Sequence, residues 1–211
     1  MNYKLIFQGI LLVGTLVIGG GCNSEKAAAE PPMIVNDQRY FESIRKQRAD
    51  NNLYFLGSNS PLSDSMKLNF EAVNYFPVDT QFRVVAKFEE SNDDKTFQFA
   101  TTGSTADTYR LAGVLSYTLQ QQACSLNLYV NVTDSDKDAV YYFLPFFDLT
   151  NGKSTYGGGR YMDFEKKPVA YLILDFNTAY QPYCYYNHEY SCPIPPLENN
   201  VQLEIKAGER M

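Results

Sequence analysis

The sequence predicts a mainly β fold, an antiparallel barrel or sandwich with an N-terminal helix packed on it, and three observations predict it. Apolar residues recur with period two: in residues 81–88, Phe82, Val84, Ala86 and Phe88 fall on one face and Gln81, Arg83 and Lys87 on the other, as in a strand with one buried side. Seven or eight short extended stretches stand against one early helix, and no regular alternation of strands with helices supports a doubly wound sheet. Seventeen Tyr and fourteen Phe with no Trp suit broad strands and their packed faces.

The helix is expected over residues 35–51. Asn36 is placed to cap it, Tyr40, Phe41 and Ile44 form an apolar stripe, and Glu42, Arg45, Lys46 and Arg48 are left to face water. Gly57 and the SNSP segment end it. An extended stretch over 69–76 stops at Pro77, and residues 81–88 and 95–100, separated by SNDD, are expected to form a hairpin. Residues 108–119 make a further strand in which Gly113 marks a bulge or a close approach. In residues 123–131, Cys124, Leu126, Leu128 and Val130 point one way, which makes Cys124 a buried apolar thiol. Residues 140–147 are densely apolar, as in a central strand covered on both faces. Strands near 170–176 and 200–205 complete the count, the last with Val201, Leu203 and Ile205 alternating with Gln202, Glu204 and Lys206.

The first residues carry Lys4, an apolar run from Leu5 to Ile18, then Gly19, Gly20, Gly21 and Cys22. A positive start, a short apolar core and small residues before a processing point describe a secretory signal, and the run is shorter than the roughly 20 residues of a spanning helix. LVIGGGC resembles the processing site of bacterial lipoproteins, which implies that Cys22 is acylated, with palmitate among its chains, and becomes the first mature residue. Asn23 in place of Asp implies sorting to the outer membrane, with the domain facing the periplasm. The organisation expected is a signal peptide at 1–21, a lipidated tether at 22–33 reading CNSEKAAAEPPM, and one β-rich domain at 34–211. Loss of Lys4 with the leader takes the net charge from −6 to about −7, and no basic run after the leader exceeds Lys166-Lys167. Nucleic acid is therefore excluded as a primary partner. The partners expected are a lipid bilayer, through acylated Cys22, and a small-molecule or envelope ligand.

Residues 148–200 are the densest in unusual composition: Gly157, Gly158 and Gly159 sit between Tyr156 and Arg160, and a loop rich in Tyr, Cys and Pro follows Asp175. Adjacent glycines permit positive φ or close approach, and the proline-held loop reads as an ordered lid. The segments TYGGGRY, LDFN and PIPPLEN, with SPLS at 60–63 and NYFPVDTQFRVVAKFE at 74–89, resemble the bacterial DUF1684 family, of uncharacterised function, over roughly residues 36–209. Its members are often secreted or lipid-anchored. The resemblance places Asp148, Arg160, Asp175, Asn177, Tyr180, Cys184, Cys192 and Asn199 on characteristic positions; Phe147 departs from it, standing where similar chains carry Arg.

The candidate ligand-binding residues are Arg160, Asp175, Asn177 and Tyr180. Arg160 offers a planar fork for a carboxylate or phosphate, or it pairs with Asp148 or Asp175 to lock the loop. Asp148, Asp175 and Glu198 are the catalytic candidates should two converge. Cys184, His188 and Cys192 have C-x₃-H-x₃-C spacing: a disulfide between Cys184 and Cys192, two free thiols, or zinc held with His188 are the alternatives. No cofactor is expected, zinc being the alternative. The function expected is a periplasm-facing lipoprotein with a small-ligand or envelope-maintenance role; the alternatives are a carboxylate- or metal-assisted envelope hydrolase and a structural interaction module.

Overall fold

The structure is a computed structural model that describes residues 29–104, 106–132 and 141–211. Cys22 and the expected processing site lie outside the described residues. Helix α1 spans Gln38–Leu56, later than residues 35–51, because Asp37 and not Asn36 caps it. The Asp37 carboxylate accepts from the Tyr40 N–H at 3.1 Å, while Asn36 Oδ1 accepts from Arg83 at 2.9 Å. Tyr40, Ile44 and Phe55 are buried along one side. A four-residue helix, α2 (Asp64–Lys67), follows behind its cap Ser63.

Among the described residues eight strands follow: β1 (Arg83–Glu90), β2 (Thr96–Ala100), β3 (Ala106–Leu119), β4 (Gln122–Asn131), β5 (Tyr142–Asp148), β6 (Arg160–Phe164), β7 (Tyr171–Asp175) and β8 (Asn200–Val201). They form one sheet in the order β6-β5-β4-β3-β1-β7, with β2 also on β3 and β8 parallel to β5. The result is a mixed α/β fold around a curled, mostly antiparallel half-barrel, which corrects the expected barrel or sandwich. The edge strands β6 and β7 do not pair. Chain leaves β7 when the Asp175 carboxylate accepts from the Asn177 N–H at 3.0 Å and starts a 3₁₀ turn, so among the described residues the bridge Tyr161–Tyr180 is the one backbone pairing across the gap.

Two other local expectations are corrected. β1 and β2 do not form a hairpin. The 14-residue β3 is long enough for both, taking β2 on its first half (Thr96 opposite Arg110) and β1 on its second (Lys87 opposite Ser116). Residues 69–76 are not a strand: Tyr75 makes one bridge to Glu209, and Pro77, lacking an N–H, cannot extend it. Between the halves of β3, one extra residue separates Leu111, opposite Tyr129, from Gly113, opposite Leu128. This is the expected bulge. A Cβ at Gly113 would lie 2.4 Å from both the Glu89 carbonyl oxygen and the Phe88 ring.

The bulge exchanges the faces of β3. Before it, odd-numbered Tyr109 and Leu111 join Phe99, Tyr129, Phe143 and Tyr161 in an aromatic cluster. After it, odd-numbered Leu115, Tyr117 and Leu119 join the main core with Leu126, Leu128, Leu144 and Phe146, on which Cys124 packs half-buried. The chain's last stretch seals that core: Val201, Leu203, Ile205 and Ala207 are all buried. It keeps the alternation expected of a strand over 200–205, yet only Asn200–Val201 pairs with a strand. Beyond that point the carbonyls of Ile205 and Ala207 accept from Arg160, so a side chain stands where a neighbouring strand would be.

Candidate functional site

Arg160 opens β6 just after Gly159, whose φ of +91° suits glycine and whose added Cβ would meet the Pro195 ring at 2.6 Å. Its side chain is fully buried. Nη2 donates to Asp148 Oδ2 and to the Ile205 carbonyl, each at 2.7 Å, and Nη1 to the carbonyls of Ala207 (2.5 Å) and Glu209 (3.3 Å). Asp148 Oδ1 in turn accepts from the Thr150 N–H at 2.7 Å and the Thr150 hydroxyl at 2.5 Å. Burial pulls the guanidinium below its ordinary range, opposed by Asp148. The cluster is a buried, paired and hydrogen-bonded charge, the form in which low dielectric tolerates ions, and it offers no face to a ligand.

The other candidates fall in different places. Asp175 is held by Arg83, Nε to Oδ2 at 3.3 Å, and that guanidinium stacks 4.1 Å from the Tyr40 ring centre. Asp148 and Asp175 are thus each taken by a different arginine, and Glu198 is exposed with no hydrogen bond to either. Asn177 is buried, with Oδ1 accepting from the Asp79 N–H at 3.0 Å and Nδ2 donating to Tyr40, Asp79 and Asp175. Tyr180 pairs with Tyr161 through two backbone bonds and its hydroxyl donates to Asp163.

Cys184 and Cys192 come together, both buried and both free thiols, with the Cys184 N–H donating to Cys192 Sγ at 3.1 Å. The hydrogen bond between the thiols holds Cys184 down to about 6 and pushes Cys192 up. His188 does not join them. Among the described residues no three His, Cys, Asp or Glu side chains are grouped to hold a metal ion.

What the structure adds is a cavity of about 760 Å³ between α1, the end of β6 and the loop 180–193. Asn177 and Tyr180 line it; Arg160 and Asp175 do not. α1 contributes Arg48, Asn51 and Tyr54, the loop contributes Tyr183 and Tyr190, and β6 contributes Asp163. Arg48, expected in water, lies on the inward stripe one turn beyond Ile44. It donates Nη1 to the Phe76 carbonyl at 3.0 Å and stacks 4.4 Å from the Tyr75 ring centre, leaving Nε and Nη2 buried without hydrogen-bond partners.

Glu209 fastens the cavity walls together. One carboxyl oxygen accepts from Asn51 of α1 at 3.0 Å; the other accepts from the Gln181 N–H and the Tyr186 hydroxyl, both at 2.8 Å. Burial pushes this carboxyl up to about 7 against those three donors. Asp163 is raised as well, by the protein mass around it, although its side chain remains open to solvent. Sequence reasoning missed Arg48, Asp163 and Glu209. The signal available was the position of Arg48 on the spacing Tyr40, Ile44, Arg48, Asn51, Phe55, a single helix face.

Residues 68–210 match the model of a family described as protein of unknown function, DUF1684. A solution NMR structure of an uncharacterized protein from Haloarcula marismortui is similar to this chain, with a TM-score of 0.64 and 28% sequence identity over 82% of this chain and 95% of that one. No curated protein matches the chain.

Proposed function

This chain belongs to the DUF1684 family of proteins of unknown function, and we propose that it is a lipid-tethered binding protein whose ligand is a small polar molecule held between α1 and the loop 180–193. The observation that carries the reading is the cavity itself. Its volume of about 760 Å³ falls within the range of small-molecule sites, roughly 300–1,000 Å³, and its wall mixes tyrosine rings with a few charged groups. The Arg160 cluster supports the reading indirectly, as a rigid anchor for β6 and the chain's last stretch, from which Asp163 and Glu209 reach the cavity.

The leader supports the tether. Lys4 and the apolar run are the features of a secretory signal, Cys22 after three glycines resembles a lipoprotein processing site, and an acylated Cys22 would hold the domain at the periplasmic face of an outer membrane. Mass spectrometry of the mature protein from its native host should find Cys22 first and acylated, and Cys22→Ala should release the protein from membranes; an unmodified Cys22 refutes the tether.

For the cavity, a thermal-shift screen of sugars, amines, amino acids and organic acids tests the claim. A ligand at 100 times its Kd adds about 2.7 kcal/mol to the stability of the folded state. Tyr183→Ala should remove most of that gain. Absence of any shift across all classes, or a shift indifferent to Tyr183→Ala, overturns the assignment.

A further inference from the structure

Resting on the reading of the cavity as a ligand site, we propose that its ligand is a small organic cation, an alkylamine or a quaternary ammonium. The proposal follows from where the cavity's donors and acceptors are spent. Three of its donor groups are turned back into the protein: Asn51 Nδ2 to Tyr75 and Glu209, Asn177 Nδ2 to Tyr40, Asp79 and Asp175, and the Gln181 N–H to Glu209. The cavity's guanidinium, Arg48, spends Nη1 on the Phe76 carbonyl and lays the rest against the Tyr75 ring, with Nε and Nη2 out of reach of solvent.

The charged groups of the wall that solvent reaches are carboxylates, they stand beside negative ring faces, and the exposed Gln47 amide can donate or accept. Asp163 is exposed, accepts one bond, from the Tyr180 hydroxyl, and has no cationic partner among the described residues. Asp50, also on the wall, pairs with Lys46 at 2.5 Å and is exposed. Three tyrosine rings stand beside each other: Tyr54 and Tyr183 nearly parallel with centres 6.4 Å apart, and Tyr190 edge-on to Tyr183 at 5.5 Å. Each of the three keeps 37–40% of its surface open, a large exposure for clustered aromatic side chains. The hydroxyls of Tyr54 and Tyr190 can donate or accept and do not decide the sign. A cation is the species that ring faces attract and that an unpaired carboxylate in a partly desolvated setting lacks. An anion would meet the unpaired Asp163, and the Arg48 nitrogens without partners, Nε and Nη2, have no surface open to receive it.

Choline and 3,3-dimethyl-1-butanol share a shape and differ in the charge, so titration calorimetry of the full-length chain in mild detergent with both isolates the proposal. Choline should bind at least about tenfold more tightly than its neutral counterpart. Asp163→Asn should cut choline affinity about fivefold or more, while Tyr183→Leu weakens it without changing the fold seen by circular dichroism. Equal binding of the two compounds, or choline affinity indifferent to both substitutions, overturns the cation assignment. Binding of a neutral sugar or an organic acid at this cavity, with choline inert, also overturns it and leaves the ligand site standing; no binding in any class, by calorimetry or thermal shift, removes both.

Discussion

Arg160 and Arg48 are both arginines turned inward, and the protein treats them in opposite ways. Around Arg160, four oxygens surround Nη1 and Nη2, Asp148 balances the charge, and the end of β5 and the chain's last stretch are tied into the cluster. Around Arg48, one carbonyl and one ring serve the whole guanidinium, and the space beside it is a cavity. The first region leaves only Nε of its guanidinium without a partner among the described residues and balances the charge with a buried carboxylate, which makes it structural. The second borders a cavity on whose wall the exposed Asp163 has no cationic partner among the described residues, and an unpaired charge on a cavity wall is where a folded protein has reason to meet something from outside.

The largest expected effect is Arg160→Ala. Removing one partner leaves Asp148 buried and uncompensated, a loss of about 3–5 kcal/mol in urea unfolding; a loss under about 1 kcal/mol would erase the distinction between the two arginines.

Second is Glu209→Gln, read through pH. The folded carboxyl sits at about 7 against an unfolded value of 4.5, so between those values the native state holds a proton that the unfolded chain has released. This contribution to stability is full below about pH 4.5 and is lost as pH rises to about 7, on the order of 3 kcal/mol. Stability curves of the wild type should fall across that window relative to Glu209→Gln. Parallel curves would mean that Glu209 is not desolvated by the cavity walls.

Gly159→Ala comes next, at about 1–3 kcal/mol, from a positive φ and the collision with Pro195. The melting temperature reports it, and an unchanged value would show that the backbone entering the Arg160 cluster is not fixed. The smallest change is expected for Arg48→Met, within about 1 kcal/mol in the same urea assay. A large loss there would place Arg48 with Arg160 as a structural residue.

How much of this was legible in the sequence follows from the range of each interaction. Period two in residues 81–88 and 123–131 reveals β1 and β4, and Gly113 marks the bulge, because a strand's burial pattern is local. Strand partners were less legible. The hairpin expected between β1 and β2 gave way to pairing with β3, whose length lets it serve two neighbours. β6, five residues between a glycine turn and Glu165, offers too little pattern to be seen. Arg160 was legible as a choice between ligand and lock, and its pairing with Asp148, 12 residues away, was one of the options. Asp163 and Glu209 were not legible: Glu209 meets Asn51 across 158 positions, and nothing in residues near either one signals that closure.

The claim that the region bordering the cavity is the functional one is tested most directly by two-dimensional NMR of the full-length chain titrated with choline. The account predicts amide shifts concentrated at Asn51, Tyr54, Asp163, Tyr183 and Tyr190, with residues 148–160 still. Shifts centred on Asp148 and Arg160, or none anywhere on saturation with choline, would contradict it.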